Sequence, residues 1–316
     1  MNIKLAAIAA IGLVCSQSFA AGKTAVVNGR SWIYSQRNDG IVIEGVKSVE
    51  PGGVVEGAVE VPSQIEGRNV STLGYRCFRG CEYITSVSVG AGIGEIGSEC
   101  FYGCKRLTTV TLPPSVRTVK ADAFNRCADL TSVSLNEGLA SIGNNAFRGC
   151  NSLESIKLPS TLKSIGHGAF QEVPLVGIDI PDSVTEVGEC IFYGCSKLEE
   201  VVVGKRVPAI SYRMFRECPV LRKVEFKEGY LDSIGSEAFY GCKRLQAVAL
   251  PPSVRTVKAD AFNRCESLRE IFVPGKMPNF NPTSLKGTPN ELQIVVPAGN
   301  SGNPATVHGH AVRVAR

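Results

Sequence analysis

The chain has 316 residues, 44% of them hydrophobic and 20% charged, with a formal net charge of +5. This composition fits a globular chain and excludes a disordered or collagenous one. The positive balance is mild for this length and makes no case for nucleic acid as a partner.

Lys4 gives the N-terminus a positive start, Leu5 to Val14 is apolar, and Ser18-Phe19-Ala20 is a small-x-small cleavage site. Residues 1–20 therefore read as a signal peptide cut after Ala20. The apolar run is too short to span a membrane. Cys15 raises a lipoprotein alternative, but Leu13-Val14 before it does not match the small residues such processing prefers. The mature chain is expected to be exported (secreted, periplasmic or at the cell surface) and to carry no transmembrane segment.

Residues 21–69 read as an N-terminal β cap. Ser31-Trp32-Ile33-Tyr34, Ile41-Val42-Ile43 and Ala58-Val59-Glu60-Val61 have strand character, separated by Asn38-Asp39-Gly40 and Pro51-Gly52-Gly53. Trp32, the only tryptophan, is expected to pack within this cap.

Residues 70–274 are governed by one period. Phe78, Phe101, Phe124, Phe147, Phe170, Phe192, Phe215, Phe239 and Phe262 follow one another at intervals of 22 to 24 residues. That spacing is a leucine-rich-repeat signature. The fourth repeat reads Ile142-Gly143-x-x-Ala146-Phe147-x-x-Cys150-x-x-Leu153-x-x-Ile156-x-Leu158-Pro159. Ile156 and Leu158 alternate with polar residues as a half-buried strand requires, and Pro159 should end it. The Ala-Phe step should lie in a tight turn with Phe inside. One turn cannot bury its apolar face alone, so the turns must stack. The fold class expected is a solenoid of leucine-rich-repeat type, mostly β with short helical or 3-10 turns, in a curved right-handed stack of about nine rungs. The glycine four residues before Phe (Gly97, Gly143, Gly188) gives way to Lys120, Ser211 and Lys258 elsewhere. An obligatory positive φ would exclude these, so that glycine eases a corner without being demanded by its φ.

Eight cysteines stand three residues after Phe, and Val173 takes the slot in the fifth repeat. A residue exchangeable with valine is a small buried hydrophobe. Equivalent positions on stacked rungs lie about 4.8 Å apart, wider than the roughly 3.8 Å a disulfide needs between Cβ atoms. Free buried thiols are the expectation, with a disulfide framework as the competing reading.

Residues 275–297 read as a C-terminal cap with a strand at Leu292 to Pro297, and residues 298–316, rich in Gly, Asn and Ala, as a flexible tail. One internal match is much closer than the others. Residues 96–127 and 234–265 differ only at Cys100/Ala238, Thr108/Gln246, Thr109/Ala247 and Thr111/Ala249. Recent copying of repeats accounts for it, and two near-identical patches are expected.

The strand alternation turns Ser86, Ser88, Thr109, Thr111, Ser132 and Ser134 outward in the early rungs. In later rungs it turns out the charged residues Glu200, Lys223, Glu225 and Glu270. Exposed charge pairs add little stability, about 0–1 kcal/mol, but steer and select partners. Glu200, Lys223, Glu225 and Glu270 are therefore the candidate partner-binding residues. Catalytic motifs are missing from the sequence, and no cofactor is implied. Glu199-Glu200 sits on a strand whose neighbouring side chains diverge. His308-Gly-His310 could touch a metal but reads as exposed tail, so no metal site is assigned.

The repeat Ile-Gly-x-x-Ala-Phe-x-x-Cys-x-x-Leu-x-x-Val-x-Leu-Pro, as in Ile234 to Pro251, resembles the BspA-like leucine-rich-repeat family of bacterial surface proteins. So do the Leu-Pro-x-Ser-Val steps Leu112 to Val116 and Leu250 to Val254. The resemblance implies a curved solenoid with parallel sheets, and protein binding outside the cell or at its envelope, host adhesion included. Repeats of this kind do not specify a ligand. The function expected is a non-catalytic, exported interaction protein for a protein or glycan partner. The alternative is a structural or spacer protein of the envelope.

Overall fold

A computed structural model describes residues 22–298 and 304–315. The expected signal peptide lies outside them. The chain is a β-solenoid of about ten turns of about 23 residues. It divides into two compact units, residues 1–153 and 154–316.

In the first unit the cap strands Lys23–Val27, Arg30–Arg37 and Gly40–Ser48 pair antiparallel. Gly40–Ser48 then pairs in parallel with Arg68–Leu73, which carries the cap into the stack. Trp32 is fully buried, edge-on to Phe78 at 6.1 Å, and its Nε1 donates to the Val27 carbonyl. It packs where the sequence places it. Each following rung contributes a strand to each of two parallel ladders. One joins Glu56–Glu60, Tyr83–Ser88, Thr109–Thr111 and Ser132–Ser134. The other joins Arg68–Leu73, Glu95–Ile96, Thr118–Val119 and Ser141–Ile142.

The second unit repeats this plan. Its longer strands are Gly177–Ile180, Glu200–Val203 and Lys223–Phe226, then Ala247–Ala249, Glu270–Phe272, Gln293–Val296 and His310–Val314. No strand forms at residues 155–158, where the fourth repeat calls for one. The fifth repeat supplies the reason: eight residues separate Phe170 from Ile178, against nine in the neighbouring rungs, so the approach to the strand is one residue short. A single bond, Val176 N–H to the Glu154 carbonyl, is formed there.

The C-terminal region also differs from expectation. Leu285 is buried in the slot that Phe holds in earlier rungs, making a tenth turn. The segment read as a flexible tail carries the strands Thr306–Val307 and His310–Val314, the second pairing in parallel with Gln293–Val296. The alternating Val307, Val312 and Val314 outweigh the Gly-rich stretch before them.

The phenylalanines form the core. Phe78, Phe101, Phe124 and Phe147 stack at centroid distances of 4.9 to 5.2 Å, and Phe170, Phe192, Phe215, Phe239 and Phe262 at 5.3 to 5.5 Å. All nine are fully buried.

No helix, α or 3-10, occurs among the described residues. The expected helical turns are replaced by another backbone form. In every rung the residue two before Phe and the residue two after it have positive φ. The first are Arg76, Glu99, Asp122, Asn145, Gly168, Cys190, Arg213, Glu237 and Asp260. A helix cannot pass through such residues. Alternation of hand turns every second N–H toward the next rung: Arg76, Phe78 and Gly80 donate to the carbonyls of Ser98, Cys100 and Tyr102. The N–H groups between them close three-residue turns, as from Arg79 to the Arg76 carbonyl. The glycine four before Phe has no positive φ, as expected. A Cβ on Gly97, Gly143 or Gly188 would fall 2.3 to 2.5 Å from backbone of the preceding rung.

Candidate functional site

The sheet side carries the residues singled out from the sequence. Glu200 and Lys223 are register partners on adjacent strands, and Val202 pairs with Glu225. Glu270 lies between Ala247 and Gln293 in the next ladder. Lys223 and Glu225 are exposed; Glu200 and Glu270 are partly covered. The charges largely satisfy one another. Lys223 Nζ lies 3.5 Å from Glu225, and Arg222 holds Glu200 at 2.6 Å and Glu199 at 3.2 Å. The strand begins at Glu200, so Glu199 precedes it and both carboxylates reach one guanidinium.

The thiols form an ordered file inside each unit. Each Cys Sγ donates to the carbonyl of the Phe one rung earlier: Cys104 to Phe78, Cys127 to Phe101 and Cys150 to Phe124 in the first unit, at 3.0 to 3.2 Å. Cys195, Cys218, Cys242 and Cys265 do the same toward Phe170, Phe192, Phe215 and Phe239. Among the described residues ten cysteines are free thiols and nine of these are buried. Cys81 is the exception to the expectation and is disulfide-bonded. It heads the file, where no earlier repeat phenylalanine offers a carbonyl to its S–H. Burial pushes the thiols of Cys100, Cys104, Cys150, Cys195, Cys242 and Cys265 up from their ordinary value. Neutral, hydrogen-bonded thiols are poor nucleophiles, so this file is structural. No group of three or more His, Cys, Asp or Glu side chains is placed to hold a metal among the described residues.

The turn side holds a cluster that sequence reasoning missed. Glu99 accepts both guanidinium nitrogens of Arg76 at 2.9 and 3.2 Å, the Tyr75 hydroxyl at 3.1 Å, and an ion pair from Arg79. Arg79 in turn lies over the Tyr102 ring at 4.4 Å, with Arg126 over the same ring at 5.8 Å. The second unit builds the same object. Glu237 holds Arg213 at 3.1 Å through two nitrogens, takes the Tyr212 hydroxyl at 3.4 Å and pairs with Arg216. Arg216 and Arg264 lie over the Tyr240 ring at 4.2 and 5.4 Å. The signal was present as Tyr75-Arg76-x-Phe78-Arg79 and Tyr212-Arg213-x-Phe215-Arg216, which extend the near-identical segments back by one rung. The left-handed residue two before Phe points its side chain along the stack, which is how Arg76 meets Glu99 and Arg213 meets Glu237.

Residues 71–199 and 164–291 match the family described as BspA type leucine rich repeat region, in 6 copies. The chain belongs to the BspA-type leucine-rich-repeat family. Its solenoid is similar to the crystal structure of a T. pallidum leucine rich repeat protein, with a TM-score of 0.51 at 26% identity over 71% of this chain and 91% of that one. A leucine-rich repeat protein of Bacteroides ovatus gives 0.41 at 21% identity, covering 92% and 100% of the two chains. The pneumococcal vaccine antigen PcpA gives 0.48 at 16%, covering 94% and 100%. No curated protein matches.

In this BspA-type chain the two clusters supply what a recognition surface uses. Tyrosine and arginine are the residues enriched at binding hot spots. A guanidinium held by a carboxylate and stacked on a ring has already lost the freedom that binding would otherwise cost. The Glu99 and Glu237 side chains are 19% exposed, while Arg76 and Arg213 keep 32% and 37%. The carboxylate is thus the buried support and the arginines form the accessible face.

Proposed function

We propose that the protein is an exported interaction module that binds a protein partner through the Tyr–Arg–Glu clusters of its turns. The observation that carries this reading is the duplication: the same constellation is assembled once in each unit, from Tyr75, Arg76, Arg79, Glu99, Tyr102 and Arg126 and again from Tyr212, Arg213, Arg216, Glu237, Tyr240 and Arg264. Export rests on the leader-like residues 1–20, and adhesion at a bacterial surface is the role that the family supports. A second reading places the partner on the sheet face of Glu200, Lys223, Glu225 and Glu270, favoured by their alignment on one exposed ladder side.

The test is a pull-down with mature protein against cell-envelope and host-matrix extracts, followed by affinity measurement with three proteins. These are the unaltered chain, a variant with Arg79→Ala, Arg126→Ala, Arg216→Ala and Arg264→Ala, and a variant with Glu200→Ser, Lys223→Ser and Glu225→Ser. Loss of about tenfold or more in the first variant alone, a size typical of hot-spot truncation, supports the clusters. Loss in the second alone moves the site to the sheet. No partner from any extract favours a spacer role.

A further inference from the structure

The terminal hairpin turns at His308 and Gly309, whose φ values of 50° and 85° are both left-handed, and Val307 pairs with His310 across it. This two-residue turn packs against the tenth rung. Between them lies a cavity of about 420 Å³ whose wall includes Leu285, Lys286, Thr288, Asn290, His308 and His310. Neither the repeat architecture nor the proposed turn-side clusters use it.

Proton accounting settles both imidazoles. The Thr288 hydroxyl donates its single hydrogen to the Leu285 carbonyl at 2.7 Å. Its oxygen, 3.2 Å from His310 Nε2, must therefore accept from that nitrogen. So Nε2 of His310 carries the hydrogen, and in the neutral ring Nδ1 is left as a lone pair. His310 is 9% exposed, and its Nδ1 is buried with no hydrogen-bond partner among the described residues. His308 follows the same logic. Its Nε2 lies 2.9 Å from the Phe280 carbonyl, which can only accept, so Nδ1 of the neutral ring again bears the lone pair.

Two imidazoles on one cavity thus have Nε2–H tied to protein oxygens and Nδ1 available. This is the arrangement in which histidine binds metals, the second nitrogen donating to an oxygen that fixes tautomer and ring orientation. An anion would need donors, and both N–H groups are already used. We infer that this cavity is a binding site for a divalent transition-metal ion of the zinc class, ligated by His308 and His310 through Nδ1, with Thr288 and the Phe280 carbonyl as positioning groups. Imidazole suits zinc, copper and nickel. The Asn290 side chain and water are the oxygen donors at hand to complete a four-coordinate shell. Burial and the neighbouring His308 hold the His310 pKa below the ordinary histidine value, which keeps its ring neutral and ready for metal.

The test uses untagged mature protein, reduced and then stripped with chelator. Zn²⁺ is titrated by calorimetry and Co²⁺ by absorption spectroscopy. One equivalent of Zn²⁺ should bind. His308→Gln and His310→Ala should each weaken binding by about tenfold or more, at least the loss seen when groups around a metal site are removed. Co²⁺ should give weak visible bands without the strong near-ultraviolet absorption of thiolate ligation, which separates this site from the cysteines. His308 is exposed, so His308→Gln should retain the circular dichroism spectrum even if His310→Ala unfolds. Equal Zn²⁺ affinity in the unaltered chain and His308→Gln, or a thiolate spectrum with Co²⁺, overturns the inference.

Discussion

Raising the pH should unfold this protein through its thiols. Burial raises the folded-state pKa of Cys100, Cys104, Cys150, Cys195, Cys242 and Cys265. In the unfolded chain a cysteine titrates near 8.5. Above that pH the unfolded state has released protons that the folded state retains, so stability must fall as pH rises. The stabilisation is fully present below about 8.5 and is lost on the way to the folded values. Each thiol contributes about 1.4 kcal/mol for each pH unit in that window. Six together remove roughly 8 kcal/mol by about pH 9.5, comparable to the whole stability of an ordinary domain at about 5–15 kcal/mol. Lysine and tyrosine titrate higher, so the window belongs to the thiols. The assay is urea unfolding followed by circular dichroism from about pH 7.5 to 9.5 in a non-thiol reductant. A companion variant carries Cys104→Val, Cys150→Val, Cys195→Val and Cys242→Val. Val173 already occupies the equivalent slot and is fully buried. With four of the six groups gone, the pH slope should shrink by about two-thirds. An unchanged midpoint in the parent, or identical slopes in both proteins, would refute the reasoning.

Two further outcomes follow from the core. Phe101 stacks between Phe78 at 4.9 Å and Phe124 at 5.1 Å, so Phe101→Ala should cost about 3–5 kcal/mol in urea unfolding; a loss under about 1 kcal/mol would mean the stack is not the core. Cys190 is the one free thiol among the described residues that is not fully covered, so iodoacetamide should modify it first in native protein, read by mass spectrometry. Labelling of Cys104 or Cys242 at the same rate would contradict the buried file.

Much of this was readable because one residue type does one job. Phenylalanine fills the interior once per turn, so its spacing is the rung length. The exchange of cysteine for Val173 marks the thiols as small and buried. What the pattern did not reveal is where their hydrogens go. The S–H to Phe carbonyl bond depends on which way that carbonyl points, and the left-handed residues on either side of Phe set that direction. The residues two before Phe are Arg, Glu, Asp, Asn or Cys in eight rungs, none of which signals positive φ as glycine does. A trace lay two after Phe, at Gly80, Gly103, Gly149, Gly194 and Gly241. For the candidate residues, the alternation placed Glu200, Lys223 and Glu225 on one sheet side. It could not show that Arg222, just before its strand, reaches back to Glu200.

The same backbone form links stability to recognition. A left-handed residue other than glycine costs about 1–2 kcal/mol, and most rungs contain at least one. The return is a row of N–H groups aimed at the next rung: Glu99, Phe101 and Gly103 bond to Ala121, Ala123 and Asn125, and Glu237, Phe239 and Gly241 to Ala259, Ala261 and Asn263. That return exists only when the next rung is present, so a turn of this kind cannot persist by itself. It also throws the side chain at each left-handed position across to its neighbour. Arg76 meets Glu99 and Arg213 meets Glu237 because the strain that builds the turn also aims the side chain. The proposed binding clusters are therefore not decorations on a finished scaffold. They occupy the positions where stacking is enforced, and displacing one rung would dismantle the cluster together with the hydrogen bonds that hold it.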